Sequence, residues 1–329
     1  MQKKNIFFVI FSVLLFAIGF FTGQTTKQKL NTNDVSKCNG NFKYINPNLG
    51  CSSESFDKSY PITLVDDLNK FISDSHKNGD TQEVSVYFRD LKDGPVFGIN
   101  ENDLFISASL LKLPIALTFY RLSEDGAQDI LKRKILYKQE GVLSSPSQFF
   151  KPLKSAISGQ SYLISDLIYY SLVYSDNASN EILKTYLKDI GKGEDLLLTT
   201  FKDLGLTEPT SLVTNDISTR GYASIFRILY NASYLSKEDS ESVLSILDQS
   251  EFSQGIVSGV PNGVRVSNKF GERDLGNIKQ LHDCGIVYFK DNPYVLCVMT
   301  RGKDFNSLTK VISKISNMVY TEMEQRSKK

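Results

Sequence analysis

Histidine is nearly missing from this chain: His76 and His282 are the only two in 329 residues. Neither stands in a recognisable catalytic motif, so Ser-His-Asp hydrolase chemistry is the weakest candidate for any activity. Cysteine is scarce as well, with four residues and no C-x-x-C spacing. A zinc site therefore lacks its donors, and no metal or cofactor is expected. Charge of one sign is not in surplus. Lys and Arg number 38 against 37 Asp and Glu, a net charge of +1, which argues against a nucleic-acid binder. No repeat of 20 to 50 residues and no long low-complexity tract is present, which excludes solenoids. What remains, 41% apolar and 23% charged residues, is ordinary for a globular protein that buries a sizeable core.

Long apolar runs are limited to one. Residues 6–21 are apolar except for Ser12 and Gly19, and Lys3 and Lys4 precede them. A helix over residues 5–22 would be roughly 27 Å long, enough to cross a hydrocarbon core. No A-x-A cleavage site follows and no cysteine sits where a lipoprotein needs one. Residues 1–22 are therefore read as a signal anchor with its positive end inside and the remainder extracytoplasmic. Cleavage and secretion is the alternative. Residues 23–60 are polar and read as a linker. Within it, Cys38 and Cys51 flank a Gly/Asn/Pro-rich segment that a disulfide would staple. Cys284 and Cys297 lie on either side of a turn near residues 290–293. They read either as a cross-strand disulfide or as two small buried residues packed side by side.

Hydrophobic period divides the rest. Residues 62–78 carry apolar side chains at helical spacing. Residues 83–91 and 96–99 alternate with period two around a Lys-Asp-Gly-Pro turn, which predicts a β-hairpin. From about 117 to 252 the pattern is mostly helical, and Asn215 to Ser218 offers a cap for a helix running to Tyr230. Strands return at 264–271, 282–289 and 294–300, and a helix spans 308–323. This order predicts an α+β domain over residues 61–325, an antiparallel sheet flanked by helices and assembled from both ends of the chain. A helical subdomain, about 118–255, is inserted between its second and third strands.

Three sequences in this frame carry chemistry. Ser109-Leu-Leu-Lys112 follows the hairpin and opens an apolar run. At i, i+3 on a helix the hydroxyl and the amine share a face, so the amine can take the hydroxyl's proton. Ser55 with Lys58 and Ser307 with Lys310 repeat the spacing, so context must select among them. Ser175-Asp-Asn177 stands at a helix end, and Lys269-Phe-Gly271 at a strand end. Lys77-Asn-Gly79 and Lys92-Asp-Gly94 repeat the K-x-G spacing. Taken singly, Ser175 and Asn177 read as capping groups and Lys269 as a surface lysine.

As an ordered set the three resemble the signature S-x-x-K, S-D-N and K-T-G of class A β-lactamases and penicillin-binding proteins. The resemblance runs from about residue 62 to 324 and implies the β-lactamase/transpeptidase-like fold and an acyl-enzyme mechanism. It makes Ser109 the nucleophile, Lys112 its base and Ser175 the proton relay to the leaving nitrogen. Asn177 and Lys269 then bind substrate, and the backbone N–H groups of Ser109 and of Glu272, after Gly271, form the oxyanion hole. The implied substrate is a β-lactam or a D-alanyl cell-wall peptide, handled by a monomer. Two departures stand out. Phe270 replaces the hydroxyl that binds the substrate carboxylate, and Ser267, two residues before Lys269, does not substitute. The family's deacylating glutamate has only Glu208 as a counterpart, before a proline and without the following Leu-Asn. A penicillin-binding D,D-peptidase, or a sensor or binding module for penicillin or wall peptides, is thus the alternative to a β-lactamase.

Overall fold

Alternation with both faces buried is what the strands of this protein require, because helices cover the two sides of one sheet. The computed structural model describes residues 42–46, 62–92, 96–138, 148–191, 193–206, 216–290 and 292–328. The expected anchor at 1–22, Cys38, Cys51, the Ser55 motif and Glu208 lie outside the described residues. Among those described, no helix is long and apolar enough to cross a membrane.

The central sheet is antiparallel with strand order β2-β1-β9-β8-β7. It is built from β1 (Glu83–Asp90), β2 (Val96–Ile99), β7 (Val266–Asp274), β8 (Lys279–Val287) and β9 (Tyr294–Gly302). On one face Val84, Val86, Phe88, Leu296 and Val298 pack against α1 (Ile62–Lys77) and α8 (Phe305–Arg326). The α1 stripe Leu64, Leu68 and Ile72, at i, i+4 and i+8, is buried in that layer. Each such side chain contributes roughly 1.5–3 kcal/mol. The alternate residues Tyr87, Val295, Cys297 and Met299 face the helical block between β2 and β7.

That block holds α2 (Lys112–Glu124), α3 (Ile164–Val173), α4 (Asn177–Asp189), α5 (Gly193–Asp203), α6 (Thr219–Tyr230) and α7 (Lys237–Leu247). The insertion between the second and third strands of the main sheet is as the sequence predicts. Two short antiparallel pairs were not legible: β3 (Leu104–Ile106) with β6 (Asp216–Ser218), and β4 (Lys134–Leu136) with β5 (Ser161–Leu163). Three residues are too few for a period of two to show. The cap of α6 is Ser218, whose hydroxyl accepts from the Gly221 N–H at 3.1 Å.

Cys284 and Cys297 stand directly opposite each other in the β8–β9 ladder and are joined as a disulfide. Residues 42–46, inside the stretch read as a linker, are docked on the helical block. The Glu241 carboxylate accepts the backbone N–H groups of Lys43, Tyr44 and Ile45, and Ile45 is buried.

Candidate active site

The chain reaches Ser109 from β3, which is fixed beside the sheet by two buried side chains of β8. The Gln280 Oε1 accepts from the Ile106 N–H at 3.1 Å, and His282 Nε2 donates to the Ile106 carbonyl at 3.0 Å. Burial holds the His282 pKa down at about 4, so the ring is neutral and structural. Next comes Ala108 in the left-handed region, φ 49°, a conformation that costs a non-glycine residue about 1–3 kcal/mol.

The expected α-helical start is instead a 3₁₀ turn, Ala108–Leu111, that runs directly into α2. A 3₁₀ turn has three residues per turn, so Ser109 and Lys112 eclipse each other more closely than on an α-helix. Tyr222, fully buried on α6, donates to the Leu110 carbonyl at 2.9 Å and clamps the turn from behind. Gly271 clamps it from the front. A Cβ there would stand 3.1 Å from the Leu110 nitrogen and from the Ser107 carbonyl oxygen. Glycine in the K-x-G motif thus lets β7, an edge strand, lie against the turn that carries Ser109.

Ser175 sits on the opposite side, in the left-handed region with φ 53°. Its conformation is held by Asp176, the cap of α4. The Asp176 carboxylate accepts the N–H groups of Ala178 and Ser179, the Ser179 hydroxyl, the Ser155 hydroxyl and the Ala156 N–H. Two buried amines converge on the Ser175 hydroxyl. Lys112 Nζ lies 3.2 Å from it and Lys269 Nζ 2.9 Å. Lys112 also donates to the Ser175 carbonyl and, at 2.8 Å, to Asn177 Oδ1. Lys269 also donates to the Phe270 carbonyl at 2.9 Å. The structure thereby brings Lys112, Ser175, Asn177 and Lys269 into one hydrogen-bonded cluster. Ser109, half-buried, flanks it without a side-chain hydrogen bond among the described residues.

Electrostatics follow from burial. Lys112 and Lys269 are 2% and 0% exposed, and among the described residues neither forms an ion pair. Desolvation pulls Lys112 down to about 7 against the opposing pull of Asp176 and Glu272. It pulls Lys269 well below the ordinary lysine value, and the Lys112 charge adds to that. A neutral amine within reach of a serine hydroxyl is a competent general base at neutral pH. Among the described residues no cluster of three metal-binding side chains exists.

Two site residues differ from the sequence reading. Phe270 does not stand in the cleft in place of a hydroxyl. Its ring is 4% exposed and stacks on Phe252 with centroids 4.2 Å apart in the core beneath β7, and the Lys269 Nζ lies over it at 4.6 Å from its centroid. The physical reason is the pleat, which alternates successive side chains across the strand. Glu272, expected to act only through its backbone, uses its side chain as well. Its carboxylate accepts the N–H groups of Phe149 and Phe150, each at 3.1 Å. Burial raises its pKa to about 7. On the same segment Gln148 donates to the Ser175 carbonyl at 3.2 Å. Residues 148–150 therefore join the two walls of the cleft. No spacing in the sequence announced this contact, nor those of Tyr222, Gln280 and His282. Two of the other motif repeats lie among the described residues, both away from this cluster. Ser307 and Lys310 lie in the first two turns of α8, where the Asp304 carboxylate accepts the Ser307 N–H, and Gly79 follows α1 with φ 80°.

The fold agrees with comparisons to known proteins. No curated protein matches the chain at a significant level. A β-lactamase from Chitinophaga pinensis superposes with a TM-score of 0.68 at 18% identity, over 79% of this chain and 99% of its own. A class A β-lactamase from Mycobacterium abscessus gives 0.66 at 19% identity, over 79% and 99%. PBP-A gives 0.64 at 18% identity, over 83% and 100%. The model of the β-lactamase enzyme family matches residues 63–323, so the chain belongs to that family.

Proposed function

We propose that the chain is a membrane-anchored, extracytoplasmic serine hydrolase of the class A β-lactamase type, acting as a monomer and acylated on Ser109 by a β-lactam or D-alanyl peptide carbonyl. The observation that carries this reading is the sharing of the Ser175 hydroxyl by two buried amines, at 3.2 and 2.9 Å. Lys112, with a pKa of about 7, takes the Ser109 proton as Oγ attacks. Ser175 passes a proton to the leaving nitrogen, and Lys269 polarises the Ser175 hydroxyl. Asn177 has its oxygen on Lys112, which leaves its amide nitrogen to donate to a substrate carbonyl. The Ser109 and Glu272 N–H groups receive the oxyanion. Anchoring is assigned to residues 1–22.

A second reading, a penicillin-binding D,D-peptidase or penicillin sensor with a persistent acyl-enzyme, is favoured by the partners of Lys112. They are Ser175 and Asn177, and the sequence offers as a deacylating carboxylate only Glu208, before a proline and without the following Leu-Asn. A mutant of PBP-A in acyl-enzyme complex with penicillin G also shares the fold, with a TM-score of 0.64.

Incubation with nitrocefin and with a fluorescent penicillin separates the readings. Rapid nitrocefin turnover identifies a β-lactamase, and a stable fluorescent label without turnover identifies the penicillin-binding reading. Either signal must vanish in Ser109→Ala; label retained in that variant would remove Ser109 as the nucleophile.

A further inference from the structure

Beside Ser175 and Lys269 lies a cavity of about 370 Å³ lined by the rings of Phe149, Phe150, Tyr174, Phe252 and Phe270. We infer that it is a leaving-group pocket, which takes an uncharged ring or branched aliphatic side chain carried by the group that departs when Ser109 is acylated. This rests on the acyl-enzyme reading above and adds the substrate class.

Position comes first. Lys269 Nζ, 2.9 Å from the Ser175 hydroxyl, lies over the Phe270 ring at 4.6 Å from its centroid, so the cavity that this ring lines adjoins the two side chains assigned to the departing group. Asn177, assigned to the acyl side, does not line it. Its floor is rigid: Phe252 and Phe270 are each 4% exposed and stacked. Phe150 meets both edge-on, at 5.0 and 6.0 Å. Its outer wall is Phe149, 52% exposed. Phe149 thus presents an apolar face at the mouth of the cavity, next to the half-buried Phe150 and Tyr174, for a ligand ring to cover. The wall is held in place by the Glu272 carboxylate on the Phe149 and Phe150 N–H groups.

Charge argues for a neutral occupant. The charged side chains lining the cavity, Lys151 and Glu251, are opposite in sign and exposed. The Lys269 Nζ reaches the cavity only across the Phe270 ring, 4.6 Å from its centroid, and donates to the Ser175 hydroxyl and the Phe270 carbonyl. The volume, near the lower end of the roughly 300–1,000 Å³ of small-molecule sites, suits one ring or a branched chain. In the reaction Ser109 Oγ bonds to the acyl carbon and the bond from that carbon to the leaving nitrogen or sulfur breaks. The leaving atom takes the electron pair, with the Ser109 proton delivered through Lys112 and Ser175.

Two thioesters with the same N-acetyl-D-alanyl group test this, one releasing 2-mercaptopropanamide and the other 2-mercapto-3-phenylpropanamide. Thiol release by the full chain is expected to favour the phenyl ester by about tenfold or more in kcat/KM, the least that burial of one ring returns. In Phe149→Ala the preference should fall to within about threefold of unity, since the outer wall is gone. Equal rates in the parent, or a preference unchanged in Phe149→Ala, would overturn the pocket. Failure of both esters to react would count against acylation rather than the pocket. Saturation-transfer NMR on Ser109→Ala with 3-phenylpropanamide then decides. Ring saturation that disappears on adding Phe149→Ala supports the pocket, and absence of ring saturation overturns it.

Discussion

Lys112 is asked to be neutral near pH 7 and to hand a proton on, and its surroundings allow both. Burial disfavours its charge, while Asp176 and then Glu272 oppose that effect from a distance. Acylation of Ser109 should therefore rise with pH through about 7, as the neutral fraction of Lys112 grows. Glu272→Gln removes one of the charges that raise the Lys112 pKa, so the midpoint should move to lower pH. Fluorescent-penicillin labelling rates from about pH 5 to 9 in both proteins check this. A midpoint that stays put or moves upward would show that the Glu272 charge does not reach Lys112. Gly271 belongs to the same scale. A methyl group at this position meets backbone of the Ser107 to Leu110 turn at 3.1 Å, and backbone yields less readily than a flexible side-chain end. Gly271→Ala should cost about 1–3 kcal/mol of stability and about tenfold to a hundredfold in acylation, because the turn carrying Ser109 is displaced. Acylation at the parent rate, alongside a normal melt, would deny that close approach any catalytic part.

At the scale of elements, the start of α4 does two jobs through one carboxylate. Asp176 caps the helix and also pins Ser155 and Ala156 against it, and Ser175 is thereby kept at its positive φ beside both amines. Asp176→Ala should lose roughly 2–4 kcal/mol, more than a cap alone, because several donors are orphaned at once. Chemical denaturation measures it, and a loss under about 1 kcal/mol would reduce Asp176 to an ordinary cap. Its neighbours Ser175 and Asn177 were legible in the sequence as a motif, but the partners of Asp176 were not. The difference is general here. Helices α1, α6 and α8 and the strands of the main sheet could be read because a stripe or an alternation is written locally, in residues such as Leu64, Leu68 and Ile72. The Cys284–Cys297 pair was legible as a geometric option because its turn fixes the register. The 3₁₀ start at Ala108–Leu111, the pairing of β3 with β6, the clamp by Tyr222 and the Glu272 bonds to Phe149 and Phe150 depend on segments more than 100 residues apart. Nothing local encodes such meetings. Phe270 shows the converse: the substitution was visible, but only the pleat of β7 decided which face the ring occupies.

The whole molecule carries an electrostatic consequence of having two buried, carboxylate-free lysines in its site. For each, the folded pKa lies below the ordinary lysine value of 10.5, at about 7 for Lys112 and in the same direction for Lys269. Between the folded and unfolded values the unfolded chain binds the extra proton, so stability rises with pH over that window. The slope is about 1.4 kcal/mol per pH unit for each proton fully held only by the unfolded state. The buried phenols act oppositely. Burial raises Tyr222 and Tyr288 well above the ordinary value of 10.0, and Tyr230 to above the same value. Folding thus loses stability once the unfolded phenols ionise above about pH 10. Asp283, raised to about 6 by burial, and His282, lowered to about 4, have opposing slopes across much of the range from about pH 4 to 6, so acid-side changes partly cancel. The lysine contribution is isolated by comparing the protein with a Lys112→Met, Lys269→Met double variant. The difference in melting temperature, variant minus parent, should be larger at about pH 7 than at about pH 10 and shrink steadily between them, because folding of the parent releases lysine protons and that release costs less as pH rises. A difference that is flat across that range, or grows with pH, would mean that the two amines are not desolvated as the fold places them. The proton-transfer roles assigned to Lys112 and Lys269 would then lose their physical basis.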